Sequence, residues 1–61
     1  MINYDDIKLE NKDEICNYIK MLLYVDRVDM DIIISHVSMK YGVSEEEVNK
    51  CIMYIKYSVL K

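Results

Sequence analysis

Gly42 is the only glycine in this 61-residue chain, which contains no proline. These two residue types interrupt helices most effectively, so long stretches of the chain carry no local breaker. Apolar residues recur at spacings of three and four on both sides of Gly42, which is the period of an amphipathic helix. The pattern predicts an all-α fold, a compact three-helix bundle, formed by a single domain over residues 1–61.

The predicted helices cover about residues 11–26, 29–41 and 44–60. Asn11, Asp29 and Ser44 stand at their starts, and each can accept a hydrogen bond from the first turn. Gly42 can supply the left-handed residue that ends the second helix. The stripes expected to form the core are Ile15, Tyr18, Ile19, Leu22 and Leu23 on the first helix, Ile33, Ile34, Val37 and Tyr41 on the second, and Val48, Cys51, Ile52, Ile55 and Val59 on the third.

The third helix has the clearest start signal. Ser44 followed by Glu47 has the spacing of a capping box, and Glu45 and Glu46 suit the positive end of the helix dipole. Lys50 lies four residues after Glu46, which predicts an ion pair in the favoured order.

Two segments admit more than one secondary structure. Ile32, Ile33 and Ile34 are β-branched and also fit a strand, although the flanking cap and glycine favour a helix. Residues 1–10 alternate weakly between apolar and polar, so a short strand, an extended arm or a helical turn is compatible. We expect an arm that packs Ile7 and Leu9 against the body.

The size of the chain favours association. A domain of 61 residues is near the lower limit for one stable core, and 52% of its residues are hydrophobic. A partner, either a second copy or another protein, would cover apolar surface that the domain cannot hide. The sequence therefore predicts a protein partner, with a homodimer as the simplest form.

Charge is distributed unevenly along the chain. Residues 1–47 hold all 11 acidic groups and 5 basic ones, for a net charge of −6, whereas residues 48–61 carry +3. An acidic chain is a poor non-specific ligand for nucleic acid, because that affinity rests on neutralising phosphates. No secretory signal is visible and no apolar run has the length of a membrane span, so we expect no membrane association and a cytoplasmic location.

Cys16 and Cys51 are the only cysteines. Both fall on apolar helical stripes, and buried thiols are the favoured interpretation, with a disulfide between them as the alternative.

The segment from Val37 to Ile52 resembles the helix-turn-helix of bacterial and phage regulators. The resemblance rests on an apolar Val37, a small Ser38, the Gly42-Val43-Ser44 turn, and the apolar Val48 and Cys51-Ile52. It implies a helix-turn-helix-like corner, in which Ser38 permits close approach of two helices and Val43 fills the corner. Three-helix modules that bind proteins use the same corner, so the resemblance implies a structural unit more strongly than an activity.

If the resemblance extends to DNA binding, the second helix of the unit would face the major groove. The positions so implied are Ser44, Glu45, Glu46, Asn49, Lys50 and Met53, and Lys56 adds a basic residue further along. Asn49 could read adenine and Lys50 could contact guanine or phosphate. Three glutamates at the start of this helix and the absence of arginine from it disfavour DNA, which stays as the alternative.

The third helix carries more apolar residues than one core needs. Met53, Tyr57 and Leu60 form a second stripe, with Tyr54 beside it, on a face well separated from the core stripe. Methionine and tyrosine are typical of interface centres. Two interpretations stay open: these four residues form a protein interface, or the N-terminal arm folds back and buries them.

No constellation in the sequence points to catalysis. His36 is the only histidine and has no metal-ligand or triad pattern, while the pairs Asp5-Asp6 and Asp29-x-Asp31 lack the glycine and terminal glutamate of a calcium loop. We therefore expect no enzyme activity, no cofactor and no metal site.

The sequence as a whole predicts a small non-enzymatic protein-binding module. Its size and acidity are similar to those of phage and mobile-element regulators and inhibitors, including proteins that block nucleic-acid-processing or defence machinery. An acidic face could compete for a basic groove on such a target, although a solvated surface is the simpler interpretation; its residues are Asp5, Asp6, Glu10, Asp13 and Glu14. The alternative is a homodimeric helix-turn-helix transcriptional regulator.

Overall fold

In the computed structural model, three helices pack around one core and no strand is present in the described part of the chain. The structure describes the backbone of residues 3–60 and the side chains of residues 3–57. Helix α1 spans Lys12–Lys20, helix α2 spans Met30–Tyr41 and helix α3 spans Glu45–Leu60. The predicted all-α three-helix bundle is confirmed.

The core contains the residues that the helical period selects. Ile15 and Ile19 from α1, Ile33 and Val37 from α2, and a run of α3 residues are almost completely buried. The buried α3 residues are Val48, Cys51, Ile52 and Ile55. Tyr18, Leu23, Ile34 and Tyr41 are partly buried and pack against this cluster, while the side chain of Val59 lies outside the described residues.

Helix α1 continues into a wider, π-helical turn over Met21–Val25. The backbone N–H of Asp26 donates to the carbonyl of Met21 at 3.0 Å, and that of Val28 donates to Leu22 at 2.8 Å. Arg27 has a φ of 53°, which is left-handed and is rarely adopted by a residue other than glycine. The helical segment therefore ends near Val25, as predicted. The wide turn and the left-handed Arg27 that end it were not indicated by the sequence.

The predicted helix starts differ in detail. Ser44 Oγ accepts a hydrogen bond from the backbone N–H of Glu47 at 3.2 Å, so the expected cap on α3 is present. Asn11 and Asp29 stand at the starts of α1 and α2, but neither side chain makes a capping hydrogen bond. The expected pair between Glu46 and Lys50 is wrong, because Lys50 Nζ lies 3.3 Å from Glu47 Oε1 instead.

The corner between α2 and α3 turns at Gly42, which has the left-handed φ of 65° expected of it. The hydroxyl of Ser38 donates to the carbonyl of Val43 at 2.6 Å, and the backbone N–H of Val43 donates to the carbonyl of Ser38 at 3.1 Å. These bonds satisfy backbone groups that a helix end leaves open. They fix the direction in which α3 leaves the turn.

The N-terminal arm forms a short 3₁₀ turn over Tyr4–Asp6 and then runs extended towards α1. Ile7 inserts into the core with 2% of its surface exposed, and Leu9 packs against the core at its edge. Lys12 holds the arm from α1, since its Nζ donates to the carbonyl of Tyr4 at 3.3 Å and lies 4.3 Å from the centre of the Tyr4 ring. Within residues 3–60, none of the helices is a candidate for a membrane span.

Candidate functional site

The outer face of α3 consists of Glu46, Asn49, Met53 and Tyr57, which share one side of the helix at spacings of three, four and four. All four side chains are exposed. Met53 exposes 39% of its surface and Tyr57 exposes 45%. Leu60, the other residue predicted for this stripe, lies outside the residues whose side chains are described.

The arm covers only part of the predicted interface. The ring of Tyr4 packs against that of Tyr54, with centroids 5.3 Å apart and planes tilted by 45°. Tyr54 is therefore half-buried and belongs with the arm contact rather than with the exposed face. Met53 and Tyr57 keep their exposure although the arm is folded onto the body.

Polar groups border the outer face at both ends. Asn49 Nδ2 lies 4.0 Å from Met53 Sδ, a long and weak contact. Glu45 and Glu46 are exposed in the first turn of α3, and Lys56 is exposed beside Tyr57. The first turn of α3 therefore carries two exposed carboxylates and its second half one exposed lysine, with Met53 between them.

The residues suggested for DNA contact are only partly available. The hydroxyl of Ser44 caps α3, and Lys50 is paired with Glu47, whose other oxygen is buried without a hydrogen-bond partner. Asn49 and Lys56 are exposed. Two free polar residues next to three glutamates are few for a surface that must neutralise phosphates.

Other exposed apolar side chains, which sequence reasoning did not single out, lie on the other helices. Met21, Tyr24 and Val25 are exposed at the end of the α1 segment, and Met30 and Ile32 at the start of α2. Met39 is the most exposed of them, at 83%. Ile32 directly precedes the buried Ile33, and Met39 directly follows the small Ser38. Ile32 and Met39 are seven residues apart, which places them on one face of α2, and this spacing could have been recognised in the sequence.

His36 has a structural contact. Tyr18 Oη and His36 Nε2 are 2.7 Å apart, and the Tyr18 ring lies edge-on to that of Tyr41 with centroids separated by 6.1 Å. Lys40 Nζ stands 5.3 Å from the centre of the Tyr18 ring. These contacts tie α1 to α2 and give His36 the Tyr18 hydroxyl as its hydrogen-bond partner.

A recess of about 270 Å³ lies between the arm and the α2–α3 corner. Its lining residues are Lys8, Leu9, Glu10, Asn11, Ile15, Tyr41 and Val43. Partial burial and the neighbouring Glu14 carboxylate raise the pKa of Tyr41 above that of an ordinary phenol. Among the described residues, no three His, Cys, Asp or Glu side chains gather as a metal-binding group.

Comparison with known proteins returns no match with any family model, curated protein or solved structure. The helix-turn-helix resemblance of Val37 to Ile52 therefore stays a prediction.

Proposed function

We propose that this chain is a small non-enzymatic protein-binding module that docks through the outer face of α3. The observation that carries the proposal is the exposure of Met53 and Tyr57 on one helical face while the chain's own arm is already in place. Exposed methionine and tyrosine offer large contact area with adaptable packing, which is what interface centres use.

The charge pattern favours a second copy of the chain as the occupant. Each α3 begins with exposed Glu45 and Glu46 and carries the exposed Lys56 in its second half. Two copies of α3 placed antiparallel would set the acidic end of each beside the basic end of the other. Two-fold dimers are the commonest form of soluble homo-oligomer.

The distances along such a pair are compatible with salt bridges. If Met53 lies at the two-fold axis, Lys56 is about 4.5 Å from it along the helix and Glu46 of the second copy is about 10.5 Å from it on the same side. Lys56 and Glu46 of the second copy are thus separated by about 6 Å along the helix axis, which their two long side chains can span. Lys50 of one copy and Lys56 of the other are level along the helix axis, but they are about 120° apart around the helix and lie on opposite flanks of the face.

We expect weak self-association. A face one helix wide buries less than the roughly 800 Å² per partner of a standard interface, which is typical of weak, transient contacts. The acidic residues of the arm and first turn of α1 are all exposed and would stay so in this dimer; they are Asp5, Asp6, Glu10, Asp13 and Glu14. A regulator or inhibitor could use them against a basic target, but solvation explains their exposure equally, and they add no separate function here.

Sedimentation velocity over a concentration series tests the proposal. The Met53→Ala/Tyr57→Ala variant should be monomeric at concentrations where the wild-type protein dimerises, with its circular dichroism spectrum retained. Tyr24→Ala/Val25→Ala is the matched control, because it removes exposed apolar side chains from the end of the α1 segment. Loss of the dimer in the control but not in the α3 variant would move the interface to that end and overturn the proposal.

A parallel gel-shift titration at low and high salt addresses DNA. A monomeric protein that binds DNA tightly and salt-dependently would replace the docking function with the regulator alternative. Absence of a shift at low salt, together with a dimer that requires Met53 and Tyr57, supports protein docking.

A further inference from the structure

The recess between the arm and the α2–α3 corner has an apolar floor. Ile15 is 2% exposed there, and Leu9 and Val43 line the recess while packing against the core. The half-buried Tyr41 lies on the α2 side. The volume of about 270 Å³ is below that of pockets for drug-sized ligands. At roughly 30 Å³ of liquid per water molecule, it accommodates a ligand of about nine non-hydrogen atoms.

Opposite charges stand on the rim of this recess. Lys8 and Glu10 are two positions apart on the arm and both are exposed, whereas Leu9 between them packs inward. In the part of the chain that the structure describes, no salt bridge joins Lys8 to Glu10. The rim therefore offers one positive and one negative group to a ligand, and the residues that line the recess carry no net charge.

Asn11 adds a neutral hydrogen-bonding group to the same rim. It stands at the start of α1, but its side chain makes no capping hydrogen bond there. A side-chain amide has both donors and an acceptor, so it can contact a ligand group of either charge.

We propose that the recess binds a free α-amino acid with a branched aliphatic side chain, of the size of leucine or isoleucine. The Lys8 ammonium contacts the ligand carboxylate, and the Glu10 carboxylate contacts the ligand ammonium. The side chain of the ligand lies on the apolar floor, where its burial is favourable.

The pairing of charges on the rim selects this class of ligand. A simple anion would meet the like charge of Glu10, and a simple cation would meet that of Lys8. A zwitterion avoids both repulsions. Within a peptide, at least one of the two α-groups of a residue is tied into an amide, so a free amino acid is the form that presents both charges on neighbouring atoms.

The site is separate from the proposed docking surface. None of the residues that line the recess belongs to the outer face of α3. Ligand binding and self-association can therefore be measured in the same protein without confusing the failure of one with the failure of the other.

An NMR titration of the ¹⁵N-labelled full chain with L-leucine tests the proposal. Saturable shifts should centre on the amides of Leu9, Asn11, Ile15 and Val43. Isopentylamine lacks the carboxylate and 4-methylpentanoate lacks the ammonium, so each should bind about three- to tenfold more weakly than leucine. Absence of saturable shifts up to the solubility limit of leucine would overturn the proposal. So would equal binding of leucine and either of the two half-ligands.

Charge-removing variants assign the two contacts. Lys8→Met should weaken leucine and 4-methylpentanoate but not isopentylamine, and Glu10→Gln should weaken leucine and isopentylamine but not 4-methylpentanoate. Lys20→Met and Asp31→Asn are the controls, because they remove exposed charges at the far ends of α1 and α2. Equal losses in the controls would contradict the assignment. The wild-type titration with the two half-ligands decides the charge contacts if a variant fails to fold.

Discussion

Ser38 and Val43 exchange two hydrogen bonds across the corner that joins α2 to α3. The Ser38 hydroxyl donates to the Val43 carbonyl at 2.6 Å, and the Val43 N–H donates to the Ser38 carbonyl at 3.1 Å. Because Val43 also packs against the core, this pair sets the angle at which α3 presents its outer face. Size alone was the expected reason for serine at position 38, and the structure adds the hydroxyl as a second reason.

Replacement of Ser38 by alanine should lower the free energy of unfolding by about 1 kcal/mol, because the half-buried Val43 carbonyl loses its side-chain partner. Urea denaturation measures the change. Ser35→Ala, at an exposed position of the same helix, is the control and should stay within about 0.5 kcal/mol of wild type. An equal effect of both substitutions would mean that the hydrogen bond contributes nothing specific.

Gly42→Ala should destabilise the protein by about 1–2 kcal/mol. The cause is the left-handed backbone alone, since a Cβ at Gly42 would meet no atom within 4 Å. Gly42→Asn should cost less, because asparagine tolerates this conformation better than alanine does. Thermal denaturation that ranks Asn at or below Ala would show that the backbone conformation of this residue does not decide the stability of the corner.

The contact of Tyr4 with Tyr54 predicts opposite effects for two substitutions at one position. Tyr4→Ala should destabilise by about 1–3 kcal/mol, through loss of the ring packed against Tyr54 and of the contact between that ring and the Lys12 ammonium. Tyr4→Phe should be neutral or stabilising by up to about 1 kcal/mol, because the Tyr4 hydroxyl is buried without a hydrogen-bond partner. Chemical denaturation of both variants is sufficient, and a clear loss of stability in Tyr4→Phe would show that the hydroxyl is satisfied in solution.

Stability should fall in alkaline solution for a reason located at Tyr41. Folding raises the pKa of this phenol. The contribution of the neutral phenol to the free energy of unfolding is therefore complete below the pKa of the unfolded chain, 10.0, and is lost as the pH rises through the pKa of the folded protein. Tyr41→Phe should flatten this part of the pH–stability profile, and Glu14→Gln should flatten it partly, because Glu14 is one cause of the shift. Denaturation midpoints between pH 8 and pH 11.5 measure the effect, and a Tyr41→Phe profile that matches wild type would contradict it.

The sequence predicted correctly which residues are buried where the helical period alone determines burial. Ile15, Ile19, Ile33 and Val37 are buried as predicted, because a 3.6-residue period places them on one side of each helix regardless of the partner. The left-handed Gly42 was also predictable, since one residue type dominates that conformation.

The sequence did not predict the features that depend on contacts between distant residues. For Tyr54 the sequence left open whether it is exposed or covered by the arm, because its partner Tyr4 lies 50 positions earlier and no local pattern links the two. The left-handed Arg27 and the wide turn before it reflect how the α1 segment must end to bring α2 onto the core, which no local residue signals. Lys50 pairs with Glu47 instead of Glu46, a choice between neighbouring rotamers that spacing alone leaves open.

In the proposed dimer, the outer face of α3 docks against that of a second copy in an antiparallel arrangement. Sedimentation equilibrium of wild type, Lys56→Glu, Glu46→Lys and the double variant tests it most directly. Each single charge reversal should weaken the dimer by about three- to tenfold at low salt, and the double variant should restore wild-type affinity, because it exchanges the two ends of every salt bridge. A wild-type protein that stays monomeric to millimolar concentration, or a double variant no tighter than the single ones, would contradict the account.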